Sequence, residues 1–290
     1  MALFGKPDKI KLSVIKQRRT VFFLSDRTGI TAETLGHSLL TQFDGIEWVK
    51  VSIPFLDEIG KIKVAIDQIN QIAVQEGVRP LVFSTLLNPE ILEQVRQANC
   101  RVYDFFAMFM GSIEQELNQP FARIAGRSHG LQHHLTYFKR INAINYVLAH
   151  DDGVNPKNFA EADIILIGVS RTGKTPTCLY LAMQYGIAAA NYPLTQEDMG
   201  SMRLPKVLES VQDKLFGLTL SAAQLHLIRQ ERRPNSEYAS LAQCQHEIQW
   251  QQSLFKLMNI PYLDTTAISI EEISAVILDR CGLKRQLYGL

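Results

Sequence analysis

The sequence predicts an α/β protein built from two βα-repeat domains with mainly parallel sheets, the C-terminal one a P-loop kinase-like domain. Short apolar, β-prone runs alternate with helical segments of roughly 10 to 20 residues, the rhythm of βαβ units. That rhythm pauses once, around a Gly- and His-bearing stretch at 126–134, and then restarts. The third observation is a glycine-containing loop, Gly168 to Thr175, placed where an apolar strand gives way to a helix. A chain of 290 residues, 46% hydrophobic and 20% charged, is long enough for two cores and excludes a disordered or low-complexity protein.

In the first half, a basic leader (Lys9–Arg19) precedes the strand Val21–Leu24, which ends at Ser25-Asp26-Arg27-Thr28-Gly29. Ala32, Leu35, Leu39 and Phe43 then recur at three- and four-residue steps, as on one helix face. Ile46–Ile53 alternates apolar and polar and stops at Pro54, a strand; Ile59 to Ala73 carries the next helical stripe. Leu81-Val82-Phe83 is a strand, Asn88-Pro89-Glu90 a capped helix start with proline in the first turn, and Arg101-Val102-Tyr103 a fourth strand. A helix is expected over Thr136–His150, with the boundary between domains 1–153 and 154–290 near Gly153–Pro156.

In the second half, Ile164–Ile167 reads as a buried strand and Pro176–Tyr185 as its helix. Ile187–Ala190 is a further strand, followed by a helix around Pro205–Gln212 and a strand at Leu215–Leu218. Ser221-Ala222-Ala223-Gln224 and Ser269-Ile270-Glu271-Glu272 have capping-box spacing, and Tyr262-Leu263-Asp264 is a last strand.

Lys+Arg is 30 against Asp+Glu 29, so phosphate recognition must be local, and neither nucleic acid nor an anionic membrane is an expected partner. The four cysteines show no paired spacing, which fits a reducing compartment. No apolar run approaches the ~20 residues of a membrane span, and Met1–Arg19 lacks the apolar core of a signal peptide. A soluble, cytoplasmic protein is expected.

Gly168-Val169-Ser170-Arg171-Thr172-Gly173-Lys174-Thr175 fits GxxxxGK[ST]. Its glycines permit a tight loop whose amides converge on an anion, and the following helix N-terminus adds partial positive charge. Lys174 can reach a terminal phosphate, the Thr175 hydroxyl can ligate Mg²⁺, and Arg171 can stabilise a transferring group. From residue frequencies the pattern arises by chance in about one chain of this length in a hundred. No NKxD base-reading motif is present, and Asp26 and Asp264 are both candidates for holding Mg²⁺ water. Ser25–Gly29 is either a second anion site or a capped βα turn. At the end of the linking helix, Asp151 or Asp152 is a candidate catalytic carboxylate, with His150 able to assist; a charged helix end closed by Gly153 is the simpler reading. His129 and His133 have metal-ligand spacing on a helix, but no carboxylate completes a set. Arg123, Arg127, Lys139 and Arg140, like Arg232-Arg233, are either a solvated face or a phosphate-facing one.

The segments Val21–Asp26, Thr28–Gly36, Tyr137–Ile141, His150–Gly153 and Gly168–Thr177 resemble the phosphoenolpyruvate synthase and pyruvate, phosphate dikinase regulatory proteins, from about Thr20 to Leu278. The resemblance implies a bifunctional enzyme acting on one partner protein. It transfers the β-phosphoryl group of ADP to a partner threonine, inactivating the partner, and uses inorganic phosphate to remove that group as pyrophosphate. Gly173 before Lys174 resembles the synthase branch, which implies phosphoenolpyruvate synthase as the partner, although the dikinase stays open. The family usually has a small residue where Arg27 stands. By this reading Gly168 to Thr175 bind the nucleotide, Thr175 holds Mg²⁺, and Lys174, Arg171 and Asp151 or Asp152 serve catalysis. An ATP-dependent small-molecule kinase and a nucleotide-sensing module are the competing classes. Whether the protein forms a homo-oligomer is open.

Overall fold

The computed structural model describes residues 17–124, 134–153 and 156–284. Most of the basic leader, Arg127, His129 and His133 lie outside them, as does the side chain of His134. The chain divides into two compact units, Met1–Arg127 and Ser128–Leu290.

The first unit is a four-stranded, all-parallel sheet of β1 (Gln17–Leu24), β2 (Ile46–Ile53), β3 (Leu81–Ser84) and β4 (Arg101–Asp104), in the order β2-β1-β3-β4. Its helices are α1 (Ile30–Leu40), α2 (Ile59–Glu76), α3 (Pro89–Arg96) and α4 (Phe105–Leu117). Strand β1 sends Phe22 and Leu24 into one core with Ile62, Ile69 and Ile91, and Val21 and Phe23 into another with Ala32, Leu40 and Phe105. Burial on both faces explains why this strand reads as a continuous apolar run. Helix α3 starts as its sequence requires, with the Asn88 side chain accepting from the Glu90 and Ile91 amides. Helix α4 has no counterpart in the sequence reading. Phe105–Met110 is apolar throughout, so periodicity is silent there, and the start is set by Asp104 accepting from the Phe106 and Ala107 amides.

The second unit repeats the architecture. Strands β5 (Ile164–Val169), β6 (Ala189–Leu194), β7 (Leu215–Thr219) and β8 (Tyr262–Asp264) form a parallel sheet in the order β6-β5-β7-β8. Around it lie α5 (His134–Ala149), α6 (Lys174–Tyr185), α7 (Lys206–Glu209), α8 (Ala222–Arg232), α9 (Leu241–Leu257) and α10 (Ile270–Arg280). Ile165, Ile167 and Val169 pack with Leu225, Ile248, Leu254 and Phe255 from α8 and α9; Ile164 and Leu166 pack with α5, α6 and α10. The Ser269–Glu272 capping box is complete at α10.

Three differences from the sequence reading bear on the site. The compact units divide at Arg127–Ser128, not near Gly153–Pro156, because α5 buries Ala143 and Val147 against Leu181 and Ile277. Asp151 and Asp152 therefore belong with the glycine loop. The strand expected at 187–190 runs instead from Ala189 to Leu194: Ile187 still bonds back to Leu181 at the end of α6, and Pro193 is tolerated because β6 is an edge strand. Helix α9 was not legible, although Ser240 caps it by accepting from the Gln243 amide. In the second unit the chain steps from β5 outward to β6, then returns across to β7. The crevice beyond the carboxyl ends of β5 and β7 is where such open sheets bind ligands.

Candidate active site

The loop leaving β5 turns into α6 at the residues the phosphate-loop pattern demands. Gly173 is left-handed (φ 90°) and serves as the N-cap of α6. Gly168 has φ 155°, and a Cβ there would lie 2.4 Å from the Leu218 carbonyl oxygen of β7. Gly168→Ala should therefore cost about 1–3 kcal/mol. An unchanged thermal midpoint would contradict that packing.

Arg171 adopts φ 80°, a conformation that few side chains accept, and its Nε is buried without a protein hydrogen-bond partner. Lys174 is buried, its ammonium donating to the Val169 carbonyl of its own loop at 3.0 Å. Burial pushes its pKa down to about 8, against the opposing pull of Asp152 and Asp151. A desolvated cation with one neutral acceptor is held in a costly state that a bound anion would relieve.

Facing the loop is the turn after α5. Asp152 sits left-handed at φ 51°, and the turn holds Asp151 so that its Oδ1 accepts from the Thr175 hydroxyl at 2.9 Å. Buried Asn191, on β6, completes the cluster. Its Nδ2 lies within bonding distance of Asp151 Oδ1, Thr175 Oγ1 (3.0 Å) and Asp152 Oδ1 (3.3 Å), while its Oδ1 has no partner. These groups line a cavity of about 470 Å³ with Ser170, Arg171, Gly173, Lys174, Thr175, Pro176 and Arg232.

The structure thus brings Asp151, Asp152, Arg171, Lys174 and Thr175 together. Gly168, Val169 and Thr172 form the base of the loop: the Val169 amide donates to Gln251, and Thr172 Oγ1 donates to the Val169 carbonyl. His150 takes no part in the cavity. Its Nδ1 bonds the Tyr146 carbonyl at 2.7 Å and its ring stacks on Tyr146, because α5 turns that side chain inward. Asp264 accepts from Thr266 and does not line the cavity. In the first unit, Ser25 accepts from the Arg27 amide within its own βα turn, and Asp26 ties that turn to the segment after β3 by accepting from the Leu87 amide. Arg140 donates to the Gln184 carbonyl at the end of α6.

Sequence reasoning missed the residues that brace the loop. Gln251, fully buried on α9, accepts from the Val169 amide and donates to Thr219 Oγ1, tying β5 to β7. Arg229 of α8 bonds the Ser170 carbonyl, pairs with buried Glu247 at 2.6 Å and lies over the Tyr238 ring, whose hydroxyl meets Ser170 Oγ. None of these lies near the loop in sequence, and only the spacing of α8 and α9 could have hinted at them. Glu247→Gln leaves Arg229 charged and buried without its counter-ion, so stability should fall by about 3–5 kcal/mol. Chemical denaturation reads this directly, and a loss under 1 kcal/mol would mean that the pair is dispensable.

Mg²⁺ suits hard oxygen donors and usually takes one or two protein ligands beside phosphate oxygens and water. Thr175 Oγ1 and Asp151 Oδ1, 2.9 Å apart, match that chemistry. Among the described residues no group of three or more His, Cys, Asp or Glu forms a metal cage, so most ligands would have to come from elsewhere. Among the described residues, no helix is long and apolar enough to cross a membrane.

The kinase/pyrophosphorylase family model matches residues 21–278. A Nitrosomonas eutropha protein named "Putative phosphoenolpyruvate synthase regulatory protein" is 60% identical over 272 residues, covering 94% of this chain and 99% of its own. Proteins of the same name from Legionella pneumophila (49% identical, covering 93% of this chain and 100% of their own) and Pseudomonas aeruginosa (48%, covering 94% and 99%) are also similar over nearly their whole length. A match extending from β1 into α10 takes in both sheets and every cavity residue, and on it the chain belongs to the kinase/pyrophosphorylase family.

Proposed function

We propose that this protein regulates phosphoenolpyruvate synthase as an ADP-dependent threonine kinase and a phosphate-dependent, pyrophosphate-forming phosphorylase. The observation that carries the chemistry is the convergence, in one cavity, of the Gly168–Thr175 loop, the Thr175–Asp151 pair and the exposed Asp152 carboxylate. The relatives' names supply the partner.

Loop amides and Lys174 hold the diphosphate, and Arg171 faces the phosphoryl group that moves. Mg²⁺ would neutralise charge developing on the phosphate oxygens. Thr175 and Asp151 would hold it, with Asn191 fixing the Asp151 rotamer. Asp152, in contact with Asn191 at 3.3 Å, orients the threonine hydroxyl and takes its proton. In the other direction inorganic phosphate attacks the phosphothreonine phosphorus. The P–O bond to threonine breaks, and the proton carried by hydrogen phosphate ends on the threonine oxygen as pyrophosphate leaves. The same residues can serve both reactions, because inorganic phosphate takes the place of the AMP phosphate as the group joined to the moving phosphorus. This reading makes the protein a cytoplasmic enzyme with a protein substrate.

The test is to incubate the full chain with phosphoenolpyruvate synthase, Mg²⁺ and either ADP or ATP, and to map phosphothreonine by mass spectrometry. ADP-specific labelling, reversed by phosphate with release of pyrophosphate, is the expected result. ATP-dependent labelling of a metabolite alone, or no transfer at all, would overturn it.

A further inference from the structure

The cavity contains one cation that no loop motif accounts for. Arg232 is the last residue of α8, 58 positions beyond Lys174 by number, yet it lines the same wall-to-wall space as Ser170, Arg171 and Lys174. Its placement follows from Arg229, three residues earlier and so on the same helix face. Arg229 is fully buried, bonds the Ser170 carbonyl at 3.1 Å and is locked by Glu247 and the Tyr238 ring. The final turn of α8 is thereby fastened to the glycine loop, and the next side chain on that face meets the cavity. Arg229 has its charge neutralised by Glu247; among the described residues, no carboxylate forms an ion pair with Arg232. The lining holds Arg171, Lys174 and Arg232 against Asp151 and Asp152.

Resting on the reading above, we propose that Arg232 is a substrate-binding residue for the attacking inorganic phosphate. In pyrophosphate formation that phosphate stands where the α-phosphate of ADP stands in the forward direction, since each carries the oxygen bridging to the moving phosphorus. ADP has a nucleoside and a second phosphate to anchor it. Free phosphate has neither, so it depends more heavily on each cation around it. A guanidinium suits this task because its fork can grip two phosphate oxygens at once.

The experiment compares Arg232→Ala, Arg232→Lys and Arg233→Ala in the full chain. Arg233 carries the same charge one residue on but does not line the cavity, so it controls for long-range electrostatics. Arg232→Ala should raise KM for phosphate at least tenfold and KM for ADP by clearly less. Arg232→Lys should recover part of the loss, and Arg233→Ala should stay within twofold of the parent. Phosphate binding to the unreacted chain, measured by calorimetry, should weaken in the same order. Equal phosphate affinity in the parent and Arg232→Ala, or equal losses in Arg232→Ala and Arg233→Ala, would overturn the assignment. If the parent binds phosphate through Arg232 but transfers nothing from ADP, the proposed reaction fails while this subsite stands.

Discussion

Replacing Lys174 with methionine should abolish nucleotide binding and turnover while making the free protein more stable. The two effects share one cause. The ammonium is buried with a single neutral acceptor, and desolvation lowers its pKa from 10.5 to about 8. Between those values the unfolded chain keeps its proton while the folded protein sheds it. Stability therefore rises with pH across that window, and the cost of the buried charge is fully present below about pH 8. It amounts to roughly 3 kcal/mol. Methionine removes the charge but also forfeits the bond to Val169, so a net gain of about 1–3 kcal/mol at neutral pH is expected. Denaturant unfolding at pH 7 and pH 10 checks both parts, because the advantage of the variant should shrink at the higher pH. A variant that is less stable at pH 7, or that still binds ADP, would show that Lys174 is structural. For the parent protein, affinity for the diphosphate should decline as pH rises through the lysine's pKa.

Asp151→Asn and Asp152→Asn should fail in different ways. Asp151 receives the Thr175 hydroxyl and lies within reach of the Asn191 amide, so its charge acts on whatever Thr175 ligates. Loss of that charge should raise the Mg²⁺ concentration needed for half-maximal rate by roughly 10–100-fold. Asp152 is exposed and touches Asn191 at 3.3 Å, and on the proposed reading it meets the incoming hydroxyl. Its amide variant should lower kcat by roughly 10²–10⁴ with ADP affinity unchanged. Mg²⁺ titrations and ADP calorimetry separate the two. If both variants kept parental rates in both directions, neither carboxylate would be part of the chemistry.

The legible parts of the fold were those whose signal is local. The αβ alternation, the Asn88 and Ser269 caps and the glycine loop are each written within a few residues. The misread parts were those where a neighbour decides. Pro193 belongs to a strand only because β6 lies at the sheet edge, and α5 belongs to the second unit only because α6 and α10 cover its apolar face. Asp151 and Asp152 are visible in the sequence as candidate carboxylates with His150 able to assist, but the end of α5 turns His150 onto Tyr146.

By itself the sequence determined that a glycine loop of the pattern GxxxxGK[ST] joins a strand to a helix, and that Lys174, Thr175 and Arg171 stand within it. Glycine torsions and helix polarity are properties of neighbouring residues, so they can be read from spacing alone. Only the tertiary structure decided what faces that loop. Asp151 meets Thr175 across 24 positions and Asn191 meets Asp151 across 40, distances that the order β6-β5-β7-β8 closes. Proximity of that kind comes from burying both faces of one sheet, an energy summed over the whole core, and no local pattern encodes it.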